Sequence, residues 1–122
     1  MNNTVIISLA GELIRVPSER IVYIESDGNY TTMVLHDKTQ QVFSFNLSHF
    51  QEILENQLKT NASRFIRVGR SIIINRDYIY KINPGRQQLV LSDSRLNEVF
   101  TLTASNEALR KLKLLLEQEI VQ

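Results

Sequence analysis

Arg64, Arg67, Arg70 and Arg76 fall within thirteen residues, and between the last two runs Ser71-Ile72-Ile73-Ile74-Asn75, the most apolar run in the chain. An arginine guanidinium stays charged, and its planar fork matches a phosphate group or the edge of a guanine. Ile72 to Ile74 must be buried, so the core they enter would hold the arginines at the surface beside it. The chemistry this offers is the binding of a polyanion. Residues 60–95 carry seven basic side chains (Arg64, Arg67, Arg70, Arg76, Lys81, Arg86 and Arg95) against two acidic ones (Asp77 and Asp93), a balance of +5. The whole 122-residue chain carries only +1, so the remainder sums to about −4, and a chain polarised in this way steers anions to one side. A solvated arginine face is the plainer reading of the same count. Arg67 also has a structural reading, as an ion-pair partner for an acidic neighbour such as Glu25.

Other chemistries find little support. Catalysis needs convergent titratable groups, and His36 and His49, the only histidines, stand in no motif with a nucleophile or a metal-ligand partner. The four glycines stand singly at 11, 28, 69 and 85, which excludes a glycine-rich phosphate loop. Absence of cysteine excludes a disulfide framework, a thiolate metal site and a cysteine nucleophile. We therefore expect no enzyme, no metal and no cofactor. No stretch approaches the roughly eighteen apolar residues of a membrane span, and Met1-Asn2-Asn3-Thr4 lacks a basic leader. The expectation is a cytoplasmic protein of one domain, residues 1–122, with 43% hydrophobic residues to build its core.

The elements that would position the arginines follow from periodicity. Val5–Leu9 and Leu13–Val16 flank a glycine-containing turn and predict a hairpin. Ile21–Glu25 reads as a strand with Ile21, Tyr23 and Glu25 on one face and Val22 and Ile24 on the other. Ser26-Asp27-Gly28-Asn29 is a turn, Tyr30–Leu35 and Gln41–Phe45 are further strands, and residues 21–45 predict an antiparallel meander. Leu47, Phe50, Ile53, Leu54 and Leu58 recur at helical spacing behind Asn46 or Ser48 as N-cap, predicting a helix over about 48–58. Phe65–Val68 is strand-like, with Gly69 interrupting it. Tyr78–Ile82, the Asn83-Pro84-Gly85 turn and Gln88–Leu91 predict a hairpin, and Val99–Leu102 a last strand. Ser105 caps a helix over about 105–118. Tyr30, Tyr78 and Tyr80 weigh toward core positions. The fold class is mainly β, antiparallel hairpins and meanders with two helices.

Two separated motifs in order, Ile-Val-Tyr-Ile-Glu-Ser-Asp-Gly-Asn-Tyr at 21–30 and Phe-Ile-Arg-Val-Gly-Arg-Ser-Ile-Ile-Ile-Asn-Arg-Asp-Tyr-Ile at 65–79, make the chain from about residue 5 to about residue 115 resemble the LytTR family. That family is the DNA-binding domain of many bacterial response regulators. The resemblance implies a mostly β fold whose loops enter successive major grooves of duplex DNA at repeated promoter sites. The implied base contacts are Asn29 and Tyr30, Arg70, and Asn106 and Glu107, and the implied phosphate contacts are Arg67, Ser71, Lys81, Arg86, Ser105, Arg110 and Lys111. The family usually has histidine where Gly69 stands and arginine where Asn106 and Glu107 stand. Glu107 repels phosphate but accepts from cytosine N4, so this loop either reads a different base or has lost its contact. The resemblance leaves room for a homodimer on DNA. A receiver domain usually precedes the module and is absent from this sequence, so regulation is expected through a protein partner or abundance, unless the chain is a piece of something longer. The competing function is a β-rich protein-interaction module that keeps the fold without the DNA contacts.

Overall fold

The computed structural model describes residues 3–94 and 98–120. Its strands are β1 (Thr4–Ser8), β2 (Leu13–Pro17), β3 (Ile21–Ser26), β4 (Thr31–Leu35), β5 (Gln40–Phe43), β6 (Phe65–Val68), β7 (Ile72–Asn75), β8 (Ile79–Asn83), β9 (Gln88–Leu91) and β10 (Phe100–Thr103). Its helices are α1 (Leu47–Leu58) and α2 (Asn106–Glu117). All pairing is antiparallel. The strands make a β1–β2 pair, a five-stranded sheet ordered β5-β4-β3-β7-β6 and a three-stranded sheet ordered β10-β9-β8. The fold is mainly β with two helices, as the periodicity predicts.

The five-stranded sheet is the middle layer and both of its faces are buried. On one side Ile24, Met33, Phe43 and Ile73 pack with Val5 and Ile7 of β1 and with Leu47, Phe50, Leu54 and Leu58 of α1. On the other side Val34, Val68, Ile72 and Ile74 pack with Leu89 and Leu91 of β9, Phe100 and Leu102 of β10, and Ala108, Leu109 and Leu112 of α2. The isoleucine run therefore enters two cores, alternating between them as a strand must. Each of these isoleucines is at most 4% exposed and contributes roughly 1.5–3 kcal/mol of burial. Both helices start where a side chain accepts from the first turn: Asn46 from His49 N and Ser105 from Ala108 N.

Several local expectations differ from the structure. The register of β3 against β4 shifts between Ile21 and Tyr23, so Val22 is an extra residue and the alternation breaks. Ile21 and Ile24 consequently share the α1 side while Val22 packs on the other. Gly69 does not interrupt one strand; it opens the loop of a hairpin, with Val68 paired to Ile72. The expected Asn83-Pro84-Gly85 turn extends to Gln87: Pro84-Gly85-Arg86 winds into a 3-10 turn capped by Asn83, and Gln87 (φ 54°) is left-handed. Of the three tyrosines weighed toward the core only Tyr78 is buried, donating to the Glu19 carbonyl. Tyr30 and Tyr80 are 55% and 74% exposed.

Candidate nucleic-acid interface

Four segments meet at one end of the molecule, each tied to the next. Because β3 runs antiparallel to β7, with Glu25 opposite Ile72, the β3–β4 turn (27–30) and the β6–β7 loop (69–71) emerge side by side. Ser26 N donates to the Ser71 carbonyl at 2.8 Å and joins them. Gly69 has φ +68°, a conformation that costs a side-chain-bearing residue about 1–2 kcal/mol. A Cβ there would lie 3.5 Å from the Ala108 Cβ, so the loop is seated on the first turn of α2. Asn106 Nδ2 then donates to the Pro84 carbonyl at 2.9 Å and Ala104 N to the Gln87 carbonyl at 3.3 Å, binding the start of α2 to the β8–β9 turn.

This row collects most of the site residues expected from the sequence. Asn29 and Tyr30 are exposed in the first turn, and Arg70 and Ser71 in the loop. Ser105 is exposed as the N-cap of α2, Glu107, Arg110 and Lys111 on α2 itself, Arg86 on the β8–β9 turn, and Lys81 on the strand leading to that turn. Glu107, Arg110 and Lys111 lie on the solvent face of α2, opposite buried Ala108, Leu109 and Leu112. A groove of about 680 Å³ opens between the loop and α2, with Arg67, Arg70, Glu107 and Lys111 among its polar walls and Ile66, Leu112 and Leu115 among its apolar ones. Glu107 Oε1 stands 3.6 Å from Lys111 Nζ, one helical turn on, and both side chains are largely exposed. Asn106 is half-buried, and its amide nitrogen is committed to Pro84.

The arginine row divides in two by what its side chains touch. Among the described residues the side chains of Arg70, Lys81, Arg86 and Arg110 have no hydrogen-bond or ion-pair partner within the protein. Arg64 donates to Ser18 Oγ at 2.8 Å and pairs with Asp77 at 3.0 Å, and Arg76 pairs with Glu119. Both sit at the opposite end of the β6–β7 hairpin, where Phe65 pairs with Asn75, roughly 13 Å of strand from the loop. Arg67 has no bond to Glu25; it donates to Ser48 Oγ and Gln51 Oε1 of α1, each at 3.1 Å, and to the Arg70 carbonyl at 2.7 Å. The +5 window thus overstates the cationic face, since Arg64 and Arg76 are ion-paired at the far end, while Arg67 keeps its charge beside the groove with its donors engaged by neutral acceptors; Arg95 lies outside the described residues. No signal in the sequence pairs Ser48 and Gln51 with a strand nineteen and sixteen residues on. The Lys111–Glu107 pair, by contrast, is legible from its four-residue spacing.

Tyr23 and Asp37 are shifted from their ordinary values. Burial, with a lesser push from the Glu25 charge, raises the Tyr23 hydroxyl above the ordinary tyrosine range. Hydrogen bonds from the Thr39 hydroxyl and amide, with a smaller contribution from Arg20, lower the Asp37 carboxyl. Asp37 lies in the β4–β5 turn, at the end of the sheet away from the row. Among the described residues no three His, Cys, Asp or Glu side chains gather as a metal site, and no helix is long and apolar enough to cross a membrane.

Comparison with known proteins bears on this row. No curated protein sequence matches the chain at a significant level. Among solved structures it is similar to the LytTr DNA-binding domain of a Bacillus cereus protein described as a methyl-accepting/DNA response regulator. That match has 22% identity and a TM-score of 0.62, and covers 93% of this chain and 96% of the other, which establishes a common fold. The sequence pattern of the LytTr DNA-binding domain matches residues 11–117, a span that includes the turn, the loop and all of α2. Sequence pattern and fold agree, and the chain belongs to the LytTr DNA-binding domain family.

Proposed function

We propose that the chain recognises a specific duplex DNA sequence in transcriptional regulation, through loops laid into the major groove rather than a recognition helix. The family is one of DNA-binding domains, so DNA is the partner; the base-reading role of the loops is our proposal. The observation that carries it is Arg70. Its backbone sits in a three-residue hairpin loop fixed to β3 on one side and to α2 on the other, while its guanidinium has no protein partner among the described residues. An arginine held this way by its base and free at its head suits bidentate donation to guanine O6 and N7.

The remaining roles follow from what each side chain has left to offer. Asn29 and Tyr30 present amide, hydroxyl and ring edge from the neighbouring turn. Asn106 has one Nδ2 proton committed to the Pro84 carbonyl, which fixes the amide plane and leaves its carbonyl oxygen to accept from an exocyclic base amine and its second N–H to donate. Glu107 would accept from cytosine N4 while Lys111 beside it takes a phosphate. Lys81, Arg86 and Arg110 are phosphate contacts by charge, and Ser71 and Ser105 by their hydroxyl protons; the Ser105 oxygen caps α2 and its proton remains to donate. Copies of the domain on repeated promoter sites, paired or independent, and control by a protein partner complete the proposal.

Mapping amide shifts while a duplex is added tests the face directly. The expected result is that perturbed residues fall at 27–30, 69–71, 84–87 and 105–111. Perturbation confined to the β1–β2 hairpin and the outer face of α1 would overturn the proposal, and a chain that shifts only with protein partners would be the interaction module instead.

A further inference from the structure

We propose that Arg67 is a positioning residue that sets the Arg70 loop for base reading, and not a phosphate ligand. The inference rests on the DNA-reading proposal above. Arg67 leaves β6 two residues before the loop, and its guanidinium forks three ways: Nη1 to Ser48 Oγ and Gln51 Oε1, each at 3.1 Å, and Nη2 to the Arg70 carbonyl at 2.7 Å. The first two acceptors lie on the opening turns of α1, a helix seated on the sheet through Phe50 and Leu54. The third is the carbonyl of Arg70, whose side chain has no partner among the described residues. A rigid helix is thereby clamped to the backbone of the reading residue.

Charge and geometry favour the brace. All three acceptors are neutral, so the positive charge is not cancelled, yet three of the donor directions of the fork are occupied within the protein. A phosphate bound bidentately would compete for those donors and release the Arg70 carbonyl. Lysine could keep the charge but not the fork, since one ammonium cannot reach acceptors spread over a helix and a loop with the same planar geometry. Arg67→Lys therefore separates the two roles: a phosphate ligand tolerates it, a brace does not.

The experiment compares wild type, Arg67→Lys, Arg67→Ala, Ser48→Ala/Gln51→Ala and Arg70→Ala, each checked by melting. In the free protein, amide exchange and backbone order parameters at residues 69–71 are read first. We expect exchange there to rise about tenfold or more in both Arg67 variants and less in the Ser48/Gln51 double variant, while β7 stays protected. On duplexes enriched by the wild type, both Arg67 variants should flatten preference at the same base pair as Arg70→Ala, again by about tenfold, with an unchanged salt slope. Combining Arg67→Ala with Arg70→Ala should add little further loss. A loop as ordered in Arg67→Ala as in wild type overturns the brace whatever DNA does. So does a salt slope reduced by about one unit with all sequences weakened alike, the signature of a lost phosphate contact. If the loop loosens but the wild type itself shows no base preference, the brace stands as a property of the fold and the DNA-reading proposal is what fails.

Discussion

Replacing Arg70 by alanine removes base preference at one position of the preferred duplex, by about 1–3 kcal/mol or roughly 5- to 150-fold in relative affinity, and leaves the melting temperature unchanged. Among the described residues no hydrogen bond or ion pair uses this side chain; the Arg70 carbonyl is engaged by Arg67, and truncation at Cβ leaves that bond in place. The energetic effect is therefore expected in binding alone, and at the position where guanine O6 and N7 lose both donors. Arg86→Ala is the control. Arg86 is exposed on a 3-10 turn fixed through its backbone amide to Asn83 Oδ1 at 3.1 Å, and its guanidinium is expected on phosphate. Its loss should weaken all duplexes alike and reduce the salt slope by about one unit. Affinities for the preferred site and each single-base variant, at one salt concentration, separate the two. Equal losses over all variants for Arg70→Ala would make it a phosphate contact, and a fall in melting temperature would make it structural.

Affinity for duplex DNA is expected to fall with salt at a log–log slope of about −3.6, the value for about four neutralised phosphates. Counting basic residues along the sequence gives five or six contacts and a slope of about −5. The structure lowers the number, because Arg64 and Arg76 are paired with Asp77 and Glu119 at the far end of the hairpin and Arg67 is held by neutral acceptors. Lys81, Arg86, Arg110 and Lys111 remain for phosphate; the Glu107–Lys111 pair is exposed enough to be worth little and to yield when phosphate arrives. Between 50 and 200 mM salt the loss should be roughly a hundredfold. Titration of a labelled site measures it. A slope of about −5 or steeper would mean that braced arginines also neutralise phosphate, and a slope near zero would mean that phosphate is not bound.

The elements were legible in the sequence and their assembly was only partly so. Alternation and turn residues located every strand but β7 to within a residue or two, β7 being legible only as a buried run, and the caps marked both helix starts, Ser105 outright and Asn46 as one of two candidates with Ser48, because these are local signals read over four to eight residues. The bulge at Val22 was invisible, since an extra residue in β3 is defined by its pairing with β4 and leaves no mark on β3 itself. The isoleucine run was legible as buried but not as shared between two cores, which depends on the layers stacked on each side of β7. At the candidate site, the family resemblance named residues in the 27–30 turn, the 69–71 loop and the start of α2; β3–β7 pairing brings the first two together in space, and the seat of Gly69 on Ala108 adds the third. What the sequence could not separate was one arginine from another. Arg67 and Arg70 are three residues apart and chemically identical, yet one has three acceptors within reach and the other none among the described residues.

Selection from a pool of random duplexes against the purified chain, with the bound fraction sequenced, tests most directly whether this row of loops reads DNA. The predicted result at about 50 mM salt is a short enriched motif with guanine at one fixed position, and loss of that position alone when Arg70→Ala is put through the same selection. Retention of duplexes with no motif, or no retention at all, would contradict sequence reading by these loops and leave the β-rich interaction module as the function of the fold.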